Sequence, residues 1–75
     1  MEPFTVWEQL PDDLPGLMAF AQRHGSSLIL NWGEEGTWEV EWITGGIRFR
    51  GTASDAYTAL RAAIASGRSF YRIHP

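Results

Sequence analysis

The fold is decided by residues 28–50, which read LILNWGEEGTWEVEWITGGIRFR. Apolar and polar side chains alternate in three runs of this stretch, as they do in strands that bury one face. Gly45-Gly46 predicts a two-residue turn between the second and third runs, because such turns need positive φ at both positions. This turn places Trp42 opposite Phe49, so that apolar side chains meet on one face of the hairpin.

The first hairpin requires a loop with an odd number of residues. An even loop would set Leu30 opposite Glu39 and turn the apolar residues of the first strand away from the others. A three-residue loop over residues 34–36, with glycine in the position of a G1 bulge, instead sets Leu30 opposite Val40. We predict that the resulting apolar face is core, tryptophans included: Leu28, Leu30, Trp32, Trp38, Val40, Trp42, Ile47 and Phe49.

A helix is predicted before the sheet. Asp12 or Asp13 can cap it, and Pro15 falls in its first turn, where a missing N–H costs little. Gly25 stands where a left-handed residue commonly ends a helix. The apolar residues have helical spacing: Leu14, Leu17, Met18, Phe20 and Ala21.

A second helix is predicted after the sheet. Thr52 and Asp55 form a capping box, and Gly67 ends the helix. Its apolar stripe comprises Ala53, Ala56, Tyr57, Leu60, Ala63 and Ile64. Residues 69–75 suit a short fourth strand or an extended segment that covers an edge. Near the N-terminus, the sequence fits either a helical turn over Val6–Leu10 or a short edge strand.

These elements predict an α+β fold with the order α-β-β-β-α. The sheet is a three-stranded antiparallel meander, both helices pack on its apolar face, and the tail adds a possible short C-terminal strand. Residues 1–75 form one small domain, since a second core would need roughly 50 further residues.

Composition excludes several classes of protein. The chain has 75 residues, no cysteine and a net charge of -3, so that disulfides, thiolate zinc sites and thiol nucleophiles are excluded. No apolar run approaches the roughly 18 residues that a membrane span needs, and the N-terminus does not resemble a secretory signal. We therefore expect a cytoplasmic protein with no membrane contact.

No residue pattern indicates catalysis, a metal or a cofactor. His24 falls in the last turn of the first helix, where a cation complements the helix dipole, and His74 is penultimate. The acidic pairs Asp12-Asp13 and Glu34-Glu35 lie at a helix start and a hairpin tip, where capping and solvation explain them. No glycine-rich phosphate loop is present, so we expect that the protein is not an enzyme.

The polar face of the sheet is the candidate binding site. Alternation gathers Ile29, Asn31, Glu39, Glu41, Ile43, Arg48 and Arg50 there. This is either a solvated face with ion pairs such as Glu41–Arg50 or a recognition surface centred on two exposed isoleucines. Glu34 and Glu35 can extend it toward a basic partner, and Trp7 is a candidate exposed aromatic anchor.

The predicted function is a small non-enzymatic module that binds another protein, as a bacterial or phage regulator or inhibitor, with a homodimer also possible. The alternative is nucleic-acid binding. The first 41 residues carry a charge of -7 and the rest +4, so a local basic patch can exist although the net acidity disfavours this alternative. Its residues would be Arg48, Arg50, Arg61, Arg68 and Arg72.

Two families share features with this chain. The helix–three strands–helix order resembles the double-stranded-RNA-binding domain, which implies that fold and RNA as a partner. That family begins its second helix with a lysine-rich phosphate-binding cluster, whereas residues 52–55 (TASD) contain no base. The passage GTASDA at residues 51–56 also resembles the helix start of HicB-type antitoxins.

Overall fold

The computed structural model describes residues 9–33 and 35–73, and for Ile73 only the backbone. The elements in chain order are α1 (Leu14–His24), β1 (Ser27–Trp32), β2 (Trp38–Thr44), β3 (Ile47–Ala53) and α2 (Ala56–Ile73). This confirms the predicted α+β order with a three-stranded antiparallel meander, β1-β2-β3. The predictions for residues 1–8, Trp7 among them, and for Glu34 and His74 lie outside the described residues.

The predicted register of both hairpins is confirmed. Trp42 lies opposite Phe49 across β2 and β3, and Leu30 lies opposite Val40 across β1 and β2. Gly45 and Gly46 have φ values of 60° and 76°, which are the left-handed values that a primed two-residue turn requires. The turn therefore fixes which residues of the sheet face inward.

Helix α1 begins as predicted and ends differently. The Asp13 carboxylate accepts a hydrogen bond of 2.9 Å from the Gly16 N–H and caps the helix. Gly25 has a φ of -133° and is extended, so the predicted left-handed ending is wrong. A side chain at Gly25 would collide with the Trp42 indole nitrogen and lie 2.7 Å from the Ile43 carbonyl oxygen. Glycine is needed here because the sheet approaches closely.

The cap of helix α2 lies three residues later in the chain than predicted. Asp55 is the capping residue, because its carboxylate accepts from the Thr58 N–H at 2.8 Å and its carbonyl from the Ala59 N–H at 3.1 Å. Thr52 and Ala53 belong to β3 instead, where Ala53 still pairs with Trp38. The strand keeps these residues because its ladder with β2 continues to Trp38, the first residue of β2.

Helix α2 also continues past its predicted end at Gly67. Residues 68–73 are helical, so the predicted fourth strand or extended tail is wrong. Phe70 and Tyr71 pack on Phe49, with ring centroids 5.7 and 6.1 Å away. The Tyr71 hydroxyl donates a hydrogen bond of 2.9 Å to the Thr44 carbonyl. These contacts with the sheet hold a helix that the glycine alone would end.

Both helices pack on the apolar face of the sheet, as predicted. The buried hydrophobic residues are Leu17, Phe20, Ala21, Val40, Trp42, Phe49, Ala59, Leu60, Ala63, Ile64 and Tyr71. Trp38 is only partly buried and packs against the core. Trp32 is 66% exposed, so the assignment of Trp32 to the core is wrong. The helices cover β2 and β3, and no residue of β1 is fully buried.

Candidate interaction surface

The outer face of the sheet, opposite the helices, brings most of the predicted site residues together. Ile29 lies across from Glu41 on β1 and β2, and Ile43 lies across from Arg48 on β2 and β3. Glu39 and Arg50 extend the same face, because residues two apart on a strand point to the same side. Six of the predicted residues therefore form one patch: Ile29, Glu39, Glu41, Ile43, Arg48 and Arg50.

Two ion pairs cross this face diagonally. Arg48 Nη1 lies 3.4 Å from Glu41 Oε1, and Arg50 Nη2 lies 3.4 Å from Glu39 Oε1. Glu41 and Arg50 are directly opposite as predicted, but they do not form the ion pair. Each arginine instead pairs with the glutamate two residues before its direct partner on β2. Diagonal positions on one sheet face are within reach of long side chains. The four charges thus form two pairs of opposite sign on this face.

The two isoleucines on the outer face differ in exposure. Ile29 is 42% exposed, whereas Ile43 is half-buried. Ile43 lies on the central strand between Ser27 and Arg48, while Ile29 lies on the edge strand. The predicted pair of exposed isoleucines is therefore one exposed side chain at the edge and one partly covered by its neighbours.

An open groove of about 440 Å³ lies at the end of this face beside the first hairpin. Its described lining residues are Gly33, Glu35, Thr37, Glu39 and Thr52. They supply two carboxylates and two hydroxyls and no basic side chain. Carboxylates accept hydrogen bonds and bind guanidinium or ammonium groups, so this groove suits a donor-rich, positively charged ligand. The structure thus brings Glu35 together with Glu39, as the predicted site requires.

Thr37 and Thr52 belong to the groove but were absent from the predicted site. Thr52 lies directly opposite Glu39, and Thr37 is two residues before it on the same face. The register of the second hairpin could have identified Thr52, because continuing the cross-strand pairs beyond Glu41 and Arg50 places Thr52 opposite Glu39. The assignment of Thr52 to a helix cap ended the predicted strand too early.

The five arginines of the predicted nucleic-acid patch do not lie together. Arg48 and Arg50 lie on the outer face with their glutamates. Arg61, Arg68 and Arg72 lie on α2 and line a second groove of about 260 Å³ with Leu10 and Ala65. Their spacing of seven and four residues keeps them on one side of the helix. The helix layer and the sheet separate the two sets.

His24 has a structural position in the fold. It lies in the last turn of α1 as predicted, and its ring packs on Phe20 with centroids 4.7 Å apart. Its carbonyl accepts a hydrogen bond of 2.6 Å from the Thr44 hydroxyl. Residue 24 therefore joins the end of α1 to the end of β2.

Within residues 9–33 and 35–73, no group of three or more histidine, cysteine or acidic residues could hold a metal ion. None of the helices in that part of the chain is long and apolar enough to span a bilayer. No protein-family model matches the chain, and it matches no curated protein and no solved structure at a significant level.

Proposed function

We propose that the protein acts by binding another protein through the outer face and the acidic groove beside it, as a small regulator or inhibitor in a bacterium or phage. The observation that carries this proposal is the uncovered outer face, on which no described element packs. It combines an exposed Ile29, fixed charges and a groove in one continuous surface. Surfaces of mixed apolar and charged character are typical of non-obligate protein interfaces.

The groove indicates the chemistry of the partner. Glu35 and Glu39 line it, and Glu39 also pairs with Arg50 at 3.4 Å, so a partner that inserts arginine or lysine beside Glu35 gains charge-assisted hydrogen bonds. Ile29 at the edge of the face gives the same partner an apolar contact. The fixed ion pairs then select the orientation, because a misplaced charge on the partner would meet a like charge.

Reversal of the groove charge tests this proposal. We expect that Glu35→Arg weakens binding of a protein captured by the wild type at least tenfold, as measured by calorimetric titration with the purified partner. Asp12→Arg is the matched control, because Asp12 is also exposed and the change in net charge is the same. Equal loss of binding in both variants would show that only net charge matters.

A charge exchange separates binding from folding. The double variant Glu39→Arg/Arg50→Glu preserves net charge and the ion pair but inverts its direction on the surface. The new carboxylate at position 50 lies opposite Glu41, so we expect a small loss of thermal stability together with loss of partner binding. A wild-type protein that retains no partner, or a double variant that binds normally, would contradict the proposal.

The groove on α2 favours nucleic acid as a second candidate function. Arg61, Arg68 and Arg72 converge there, and arginine recognises phosphate with two parallel hydrogen bonds. Binding of labelled duplex RNA or DNA should weaken as the salt concentration rises. For three phosphate contacts, the logarithm of the binding constant should fall with the logarithm of the salt concentration with a slope of magnitude near three. Arg68→Gln should lower that slope by about one, whereas Arg23→Gln on α1 should leave it unchanged. Absence of binding at low salt would exclude this candidate.

A further inference from the structure

Strand β1 is an open edge of the sheet. The strand order β1-β2-β3 leaves one side of β1 without a neighbouring strand among the described residues. In that part of the chain, the large hydrophobic residues that are exposed are Ile29 (42%) and Trp32 (66%), and both belong to β1. They point to opposite faces, because their positions differ in parity. The edge therefore has exposed apolar surface on both sides.

The hydrogen-bond ladder determines which backbone groups face this edge. Gly33 N–H donates to the Thr37 carbonyl at 2.8 Å, directly beyond the last pair of β1 and β2. In an antiparallel ladder, alternate residues bond to the same neighbour. Odd-numbered residues of β1 therefore bond to β2, and the N–H and C=O groups of Leu28, Leu30 and Trp32 point outward.

Nothing in the sequence of β1 protects this edge. The strand reads SLILNW and contains no charge and no proline, although charges, prolines and bulges are the usual means by which proteins block edge pairing. The other edge strand, β3, carries Arg48 and Arg50. Only one edge of the sheet is thus suited to pair with a further strand.

We propose that a second copy of this chain pairs with β1 in antiparallel orientation, so that two sheets form one continuous six-stranded sheet. A two-fold axis beside Leu30 sets this residue opposite itself and joins the outward backbone groups of both strands. Trp32 then lies across from Leu28 of the second copy and is covered. Because β1 has no charge, the self-pairing brings no like charges together on the paired strands.

The size of this contact sets the expected affinity. A six-residue strand is about 20 Å long, and its edge buries less than the roughly 800 Å² per partner of a standard stable interface. We therefore expect a reversible dimer with a dissociation constant between about 10 μM and about 1 mM. The dimer joins two outer faces side by side, which goes beyond the proposed binding function and does not depend on it.

Sedimentation velocity from about 1 μM to about 1 mM protein tests the proposal. The wild type should change from monomer to dimer over this range. Ile29→Lys and Trp32→Lys should each raise the dissociation constant at least tenfold, because each charge occurs twice at the interface. Within the monomer, a lysine at position 29 lies across from the Glu41 carboxylate. We therefore expect the monomer fold to tolerate this charge. Ser66→Lys, on the exposed side of α2, is the control and should dimerise normally.

A backbone variant tests the edge directly. Chemical synthesis with N-methyl-leucine at position 30 removes one outward N–H and retains the side chain. This variant should be folded by circular dichroism and monomeric by sedimentation velocity. The Glu39→Arg/Arg50→Glu exchange should leave the dimer intact. A wild type that stays monomeric at the highest concentration would overturn the proposal. So would a dimer that is unaffected by both Trp32→Lys and the N-methyl group.

Discussion

Trp42 connects both helices to the sheet. Its side chain is fully buried, and its indole N–H donates a hydrogen bond of 2.9 Å to the Ala21 carbonyl of α1. On its other side, Gly67 of α2 lies close enough that a methyl group there would be 2.8 Å from the ring. The position of this one ring therefore determines how closely each helix approaches β2.

We expect that Gly67→Ala destabilises the protein although alanine favours helix formation. Alanine gains about 1 kcal/mol of helix propensity, but the added methyl group collides with Trp42, whose indole is held by its hydrogen bond. Overpacking of a core costs about 1–3 kcal/mol, so the net loss should be about 1 kcal/mol. Urea denaturation measures it.

The adjacent exposed position provides the control for this substitution. Ser66→Ala lies in the same turn of α2 and faces solvent, so we expect a small gain in the free energy of unfolding. A gain for Gly67→Ala of the same size as for Ser66→Ala would mean that the ring moves freely, contrary to the packing described above.

Trp32 shows what residue patterns leave undetermined. Alternation correctly placed it on the same side as Val40 and Trp42, because parity is a local property of a strand. Whether a helix covers that position depends on where α1 and α2 cross the sheet, which is a tertiary property. Sequence therefore predicted the direction of this side chain and not its burial.

At the level of elements, the stability of the start of α2 depends on pH. The hydrogen bond from the Thr58 N–H, with a further one from the Thr58 hydroxyl, lowers the pKa of the Asp55 carboxyl below its usual range. A carboxyl whose pKa is lowered in the folded state contributes its full stabilisation when the pH is above its pKa in the unfolded state, near 3.9. This stabilisation is lost as the pH falls through the lowered pKa.

We expect that Asp55→Asn reduces the acid sensitivity of the protein. Asparagine still accepts the hydrogen bond from the Thr58 N–H but does not titrate. The difference in free energy of unfolding between pH 7 and about pH 3 should therefore be smaller than in the wild type. Urea denaturation at both pH values measures it, with Asp12→Asn as the control. An unchanged difference would indicate that the ionised cap contributes nothing.

The strands could be predicted more fully than the helix boundaries. For the strands, two independent signals agree, since the Gly45-Gly46 turn and the apolar pattern give the same register. The ends of α2 depend instead on contacts with other elements. Pairing of Ala53 with Trp38 extends the strand at one end, and Tyr71 packs on the sheet at the other. Local capping signals at Thr52 and Gly67 are overridden by these contacts.

At the level of the whole molecule, the two faces of the sheet contribute differently to stability. The inner face contains the buried core, whereas Arg48 and Arg50 on the outer face are each more than half exposed. Exposed ion pairs contribute less than about 1 kcal/mol. The outer face is thus free to vary without loss of the fold.

We expect that Arg48→Gln/Arg50→Gln lowers the free energy of unfolding by less than about 1 kcal/mol. Phe49→Ala, between them on the inner face, should cost about 3–5 kcal/mol. Both values come from urea denaturation at moderate salt. A loss of several kcal/mol in the double glutamine variant would show that the outer face maintains the fold.

The candidate site could be predicted in part for the same reason as the strands. Side-chain parity placed Ile29, Glu41 and Arg48 on one surface, and the structure retains that grouping. The groove was missed because it requires the ladder to continue to Thr52. The separation of the arginines was missed because sequence proximity within the C-terminal half does not indicate which layer each residue occupies.

The close fit around Trp42 has a consequence for how this sequence can diverge. Gly67 of α2 borders the indole, so a larger side chain there must await a smaller ring at position 42. At Gly25, just after α1, the Ile43 backbone carbonyl excludes a side chain whatever the size of that ring. In an alignment of homologues, columns 42 and 67 should therefore covary, whereas column 25 should remain glycine. Any lineage that loses the tryptophan is released from the glycine at position 67 but not from the glycine at position 25.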